Sequence, residues 1–173
     1  MPRTILYIAT SLDGYIATPD GGVEWLEGYE DALAGFDEFI AGIGAALMGR
    51  ATYDFAANST WQFKLMPVGV LTSRPIDSPP PGVFAHPGPA GELLTTLYRR
   101  TDNDIWLVGG GRTIRAFLDA NLVDLARIFV IPTLLGNGIP LFPPGACNVN
   151  KLDFVGIEQF DSGVVEITYE RPP

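Results

Sequence analysis

The sequence predicts one α/β domain built on a mixed, mainly parallel sheet, and three observations carry that expectation. Through the first two-thirds of the chain, apolar runs of strand length alternate with amphipathic runs of helix length, as in parallel strands joined by crossover helices. The last third reads as β and closes on a hairpin pattern, which adds antiparallel strands. The 173 residues are 47% hydrophobic and 18% charged, enough apolar material for a single well-buried core. No internal repeat and no long linker divides residues 1–173, so the chain is read as one domain.

The elements follow in order. "TILYIAT" is a strand apolar on both faces, leading into an Asp-Gly turn at "SLDG". "EDALAGFDEFIAGIG" reads as one helix with Leu33, Phe36, Phe39 and Ile40 on one side. "AALMG" is a short strand and "RATYDFAA" opens the next helix, with Tyr53 in the core. "VGVLTS" and "VFAH" are strands separated by the rigid, proline-rich "RPIDSPPPG", and His86 is a strand-end residue. "AGELLTTLYRR" is amphipathic and ends in two arginines, which favour a helix C-terminus. "DIWLV" is a buried strand and "RTIRAFLDANL" a helix. "LARIFVIPTLL", "KLDFVGIEQF" and "VVEITYE" are strands, the last two joined as a hairpin at "DSG".

Composition narrows the function. A net charge of −9 argues against nucleic acid and anionic membrane as partners, though not against an anionic small ligand met by a few gathered arginines. One cysteine (Cys147) excludes an internal disulfide, and one histidine (His86) leaves no zinc ligand set; no metal is expected. No apolar run approaches the ~20 residues that span a bilayer. The N-terminus reads as a strand rather than a signal peptide, so a cytoplasmic protein is expected.

The stretch "DNDIWLVGGGRTIRAF" places Gly109, Gly110 and Gly111 at the mouth of a helix, with Arg112 and Thr113 next. A helix N-terminus presents unpaired N–H groups and partial positive charge, and glycines let a phosphate reach the backbone without meeting a β carbon. Arg112 opposes the helix dipole unless an anion lies between them. The alternative is a tightly packed strand-to-helix turn. The spacing is neither the dinucleotide fingerprint nor a Walker loop. Two further strand ends carry the same chemistry: Gly49, Arg50 and Thr52 in "MGRATYD", and Thr72, Ser73 and Arg74 in "LTSR". Ligands of open α/β sheets bind outside the strand carboxyl ends, and a dinucleotide has phosphates enough for all three.

Candidate proton donors are Asp13 after the first strand, Glu24 beside Trp25, and Asp37 in "FDEF". Each has a plainer reading, Asp13 as an Asp-Gly turn and Asp37 as a solvated helix residue. Trp25 is either a core anchor or a lid over substrate.

Five segments, "IATSLDGYIA", "ALMGRATYD", "VLTSR", "IWLVGGGRTIRAFL" and "VIPTLLGNGIPLF", together resemble the dihydrofolate-reductase-like superfamily over nearly the full length. Within it the chain looks most like the reductase domain of bifunctional riboflavin-biosynthesis proteins and its stand-alone bacterial relatives. The resemblance implies a three-layer fold with helices on both faces of the sheet, and an NADPH-dependent reductase of a small heterocyclic substrate. The implied substrate is 5-amino-6-(5-phosphoribosylamino)uracil or similar, a ribosylaminopyrimidine whose ring-opened imine accepts hydride. By the same resemblance Ala9 and Ile16 flank the nicotinamide. Arg50, Thr52, Gly110 and Gly111 lie on the pyrophosphate side, and Ser73, Arg74 and Arg112 surround the adenosine 2′-phosphate. Gly49, Thr72, Gly109 and Thr113 are further cofactor-binding candidates.

True folate reductases place a carboxylate early in the first helix and a threonine in a later strand. Here none of Glu30, Asp31 and Asp37 aligns without a gap, and Ile131 stands at the threonine position. Reduction of a pterin or folate remains an alternative, as does an NADP(H)-binding sensor without turnover. The chain is too short for the zinc deaminase fused to many riboflavin-type relatives. The resemblance also implies a cis Gly109–Gly110 peptide and, with the apolar "RIFVIPTLLGNGIPLF", a homodimer.

Overall fold

A computed structural model describes residues 2–59, 61–63, 66–145 and 151–173. Cys147, and with it part of the loop "LFPPGAC", lies outside the described residues. Ten strands run in chain order with four α-helices: β1 (Thr4–Ser11), β2 (Tyr15–Ala17), α1 (Phe36–Ala41), β3 (Ile43–Gly49), α2 (Arg50–Ala57), β4 (Val68–Leu71), β5 (Val83–His86), α3 (Ala90–Tyr98), β6 (Asp104–Gly109), α4 (Gly111–Asp119), β7 (Leu125–Ile131), β8 (Ile139–Pro140), β9 (Asp153–Gln159) and β10 (Val165–Glu170).

Eight strands form one sheet in the order β5-β4-β3-β6-β1-β7-β10-β9. The first six are mutually parallel, and β10 and β9 join antiparallel through the expected hairpin. β2 and β8 pair separately, as a short antiparallel ribbon.

Strand alternation divides the core. Ile5 and Tyr7 of β1, Met48 of β3 and Trp106 of β6 point to one face, where Phe39 of α1 and Tyr53 of α2 cover them. Leu6, Leu47, Ile105 and Leu107 point to the other, against Leu93 and Leu97 of α3 and Ile114 and Phe117 of α4. A sheet with helices on both faces needs strands apolar on both sides, which is why "TILYIAT" and "DIWLV" show no polar alternation.

The first predicted helix is the main departure. Residues 30–33 form a separate 3-10 turn, and α1 begins only at Phe36, after the Gly35 N-cap. A glycine inside a helix costs about 1 kcal/mol against alanine, and here the chain breaks at it. Leu33 consequently leaves the apolar face and stands 58% exposed. The two arginines after α3 lie just past its last residue, and Arg100 stacks over the Phe84 ring at 4.1 Å.

Candidate functional site

All six parallel strands end on the same edge of the sheet, and the glycine-bearing turns gather there. β3 and β6 are neighbours, with Met48 opposite Gly109, so α2 and α4 start side by side. Neither helix has a side-chain cap; their N-cap residues are Gly49 and Gly110, and the Gly109–Gly110 peptide is cis.

The two helix mouths interlock. A β carbon at Gly49 would fall well inside 3.0 Å of Thr113 Oγ1, and one at Gly110 would lie 3.3 Å from Thr52 Oγ1. Each N-cap glycine thus faces the threonine in the other helix's first turn. Two sets of first-turn N–H groups, two hydroxyls and the positive ends of two dipoles converge on one strip of the edge.

Gly111 answers to a different constraint. A β carbon there would collide with the carbonyl oxygen of Pro140, where β8 crosses the start of α4. Of the three consecutive glycines, the last serves packing.

The arginines divide by commitment. Arg50 donates from Nε to Asp54 Oδ1 at 2.8 Å and from Nη1 to the Pro75 carbonyl at 2.9 Å, tying α2 to the loop after β4. Thr72 shapes that loop, its Oγ1 accepting from the Arg74 N–H at 3.1 Å. Ser73, Arg74 and Arg112 are exposed, and neither Arg74 nor Arg112 has an acidic partner among the described residues. Ala9 packs against the α1–α2 layer of the core and Ile16 against the α3–α4 layer.

The three candidate carboxylates are not brought together. Asp13 accepts from Ser11 Oγ at 2.6 Å, from the Leu135 N–H at 3.1 Å and from the Gly136 N–H at 2.7 Å, stapling the β1–β2 turn to the loop after β7. Those donors, Ser11 foremost, hold its carboxyl below the ordinary range. Glu24 and Asp37 are exposed, in the 3-10 turn of residues 24–26 and in the first turn of α1. Sequence reasoning missed the tie from Arg50 to Pro75 and the passage of β8 over Gly111, both contacts between segments far apart in the chain. Trp25 packs on the α1–α2 core, its Nε1 buried and without a partner among the described residues. No group of three His, Cys, Asp or Glu that could hold a metal occurs among the described residues, and no helix of theirs is long and apolar enough to cross a membrane.

The family model for the RibD C-terminal domain matches residues 90–166. The uncharacterized protein YwjB of Bacillus subtilis (strain 168) is 33% identical over 173 residues, covering 98% of each chain. A crystal structure of a protein provisionally assigned to riboflavin biosynthesis, from Shewanella sp. PV-4, superposes with a TM-score of 0.87 at 30% identity over 99% of both chains. Dihydrofolate reductase from Enterococcus faecalis, solved with NADP(H), superposes with a TM-score of 0.71 at 20% identity, over 99% of this chain and 97% of that one, a likeness of fold.

Proposed function

The chain belongs to the RibD C-terminal domain family, and from that premise we propose that it is an NADPH-dependent reductase of a ribosylaminopyrimidine, of the 5-amino-6-(5-phosphoribosylamino)uracil type. The observation that carries the reading is the pair of uncapped, interlocked helix mouths at the strand carboxyl ends, with two unpaired arginines beside them. That donor set fits a dinucleotide: first-turn N–H groups of α2 and α4 with Thr52 and Thr113 for the pyrophosphate, Ser73, Arg74 and Arg112 for a 2′-phosphate. The bound coenzyme supplies the hydride. The protein orients it against β1 near Ala9 and, through Trp25 and the α1–α2 aromatic core, keeps water from the reacting face.

Ile131 favours a pyrimidine over a pterin. It ends β7 opposite Ser11, is 3% exposed, and offers no hydroxyl where folate reductases use one. Purified protein with NADPH and a panel of ribosylaminopyrimidine and dihydropterin substrates tests the reading through loss of reduced-nicotinamide absorbance. Oxidation dependent on the pyrimidine supports it. Turnover of the dihydropterin alone moves the protein to the folate class, and coenzyme binding without turnover on any substrate makes it a sensor.

A cytoplasmic homodimer is part of this proposal. Of the apolar run expected to mediate pairing, residues 127–131 lie in β7, an interior strand between β1 and β10, while Leu134, Ile139 and Phe142 are exposed. Exposed apolar surface lies also on the edge strand β9, where Phe154 is 61% and Ile157 65% exposed. Light scattering giving a dimer mass supports this surface, and a monomer at micromolar concentration removes it.

A further inference from the structure

The loop that follows β4 is anchored at both ends and braced between them. The Thr72 N–H donates to the His86 carbonyl at 3.0 Å, and Ile76 packs on the α1–α2 layer of the core. Ser73 and Arg74 stand between those anchors, both exposed. The backbone beside them is held from α2. Arg50 Nη1 donates to the Pro75 carbonyl at 2.9 Å and reaches the Arg74 carbonyl at 3.5 Å.

Arg50 is fixed from its other side as well. It is the first residue of α2, where a positive charge opposes the helix dipole. Its Nε donates to Asp54 Oδ1 at 2.8 Å, one turn further along the helix. That ion pair neutralises the guanidinium and sets its plane, so that one rigid fork spans helix and loop.

We propose that Arg50 is a positioning residue for coenzyme choice, acting through the loop rather than on a phosphate. With Asp54 it holds the backbone of residues 74–75, so that Ser73 and Arg74 are presented together to the 2′-phosphate. The inference rests on the NADPH reading, and gives Arg50 a role there different from the pyrophosphate contact that the resemblance implies. A neutralised guanidinium with Nε and Nη1 both committed adds little attraction for an anion. Loss of either arm frees the two carbonyls, and Arg74 must then be ordered at the moment of binding, which costs affinity.

Calorimetric titration of NADPH and of NADH into the wild type, Arg50→Lys and Asp54→Ala tests the brace. Lysine keeps the charge but loses the fork. Asp54→Ala removes a negative charge from beside an anionic ligand. Were charge alone at work, the first variant would bind as the wild type does and the second more tightly. The brace gives another result: NADPH affinity falls in both by roughly tenfold, the worth of one hydrogen bond to a charged group, while NADH affinity stays near its wild-type value. Amide NMR of the coenzyme-free variants should show Ser73 and Arg74 shifted and α4 unmoved, the mark of a loosened loop in an intact fold. Wild-type NADPH affinity in Arg50→Lys, tighter binding in Asp54→Ala, unshifted loop amides, or equal losses for the two coenzymes each overturn the brace alone. A wild-type protein that binds NADPH and NADH alike overturns the NADPH reading, and the brace with it.

Discussion

The carbonyl oxygen of Pro140 sits directly over Gly111, so close that no β carbon fits between them. Leu141 anchors the crossing strand from the other side, its N–H donating to the Gly14 carbonyl at 2.9 Å. Gly111→Ala must therefore push backbone against backbone, and a loss of about 2–3 kcal/mol is expected, at the upper end for overpacked sites. Gly156→Ala is the control, since a β carbon there meets nothing within 4 Å. Thermal melts of both should show a clear drop for the first and almost none for the second; equal behaviour would mean that β8 yields easily.

Coenzyme choice should rest on Arg74 and Arg112. Hydrogen bonds to a charged group contribute about 1.5–3 kcal/mol each, so two favour NADPH over NADH by roughly a hundredfold before screening. Replacing both with alanine should weaken NADPH binding while NADH binding stays near its original value, read by calorimetric titration. Equal losses for both coenzymes would move the arginines to the shared pyrophosphate.

Asp13 makes a prediction about pH. Its folded pKa is depressed by Ser11, Gly136 and Leu135, so the stability that it contributes is present above the ordinary carboxylate value and is lost as pH falls through the folded one. Asp13→Asn should flatten that acid limb of the melting curve. It should leave the pH profile of turnover unmoved, because a staple is not a proton donor. A displaced profile would restore Asp13 to the chemistry.

Arg127 and Glu166 lie across β7 and β10, joined by two hydrogen bonds of 2.5 and 3.0 Å, with the guanidinium 5.1 Å from the centre of the Tyr7 ring. Glu166 is 4% exposed. Glu166→Ala leaves a half-buried cation without its counter-charge, at a cost of about 3 kcal/mol. The double change Arg127→Met/Glu166→Met should recover most of it. Chemical denaturation of the three variants decides, and a double variant as weak as the single would show that the pair itself is needed.

Tyr7 tests the alkaline side. Burial pushes its pKa up to about 12, so the unfolded chain ionises first and stability falls as pH climbs from the ordinary value of 10.0 toward that figure. Tyr7→Phe should remove about 2 kcal/mol of that decline and cost little at neutral pH, where its hydroxyl has no partner. An unchanged alkaline limb would place the titration elsewhere.

Much of this was legible in the residues themselves. "RATYDFAA" is α2 to the residue, and the β9–β10 hairpin lies where "DSG" puts it, because local periodicity and turn chemistry decide both. The helix split at Gly35 and the pair β2–β8 were not legible. The first turns on one glycine's cost against a favourable apolar spacing, and the second is two or three residues long, too short for any period. The site shows the same division. Strand-end arginines can be read from the sequence, but what a β carbon at a given glycine would meet is fixed by a strand about thirty residues downstream, as Pro140 is for Gly111.

The strand order has a consequence for the chain as a whole. β6, which carries Gly109, lies between β3 and β1, and β1 lies between β6 and β7. The part of the molecule before residue 90 and the part after it are laced through one another like the fingers of two hands. Without the later part, β1 stands apart from β3 with a strand-wide gap between them; without the earlier part, β6 loses both neighbours. Neither portion is a module that could be moved alone, and the edge at the strand carboxyl ends is a seam that both must close.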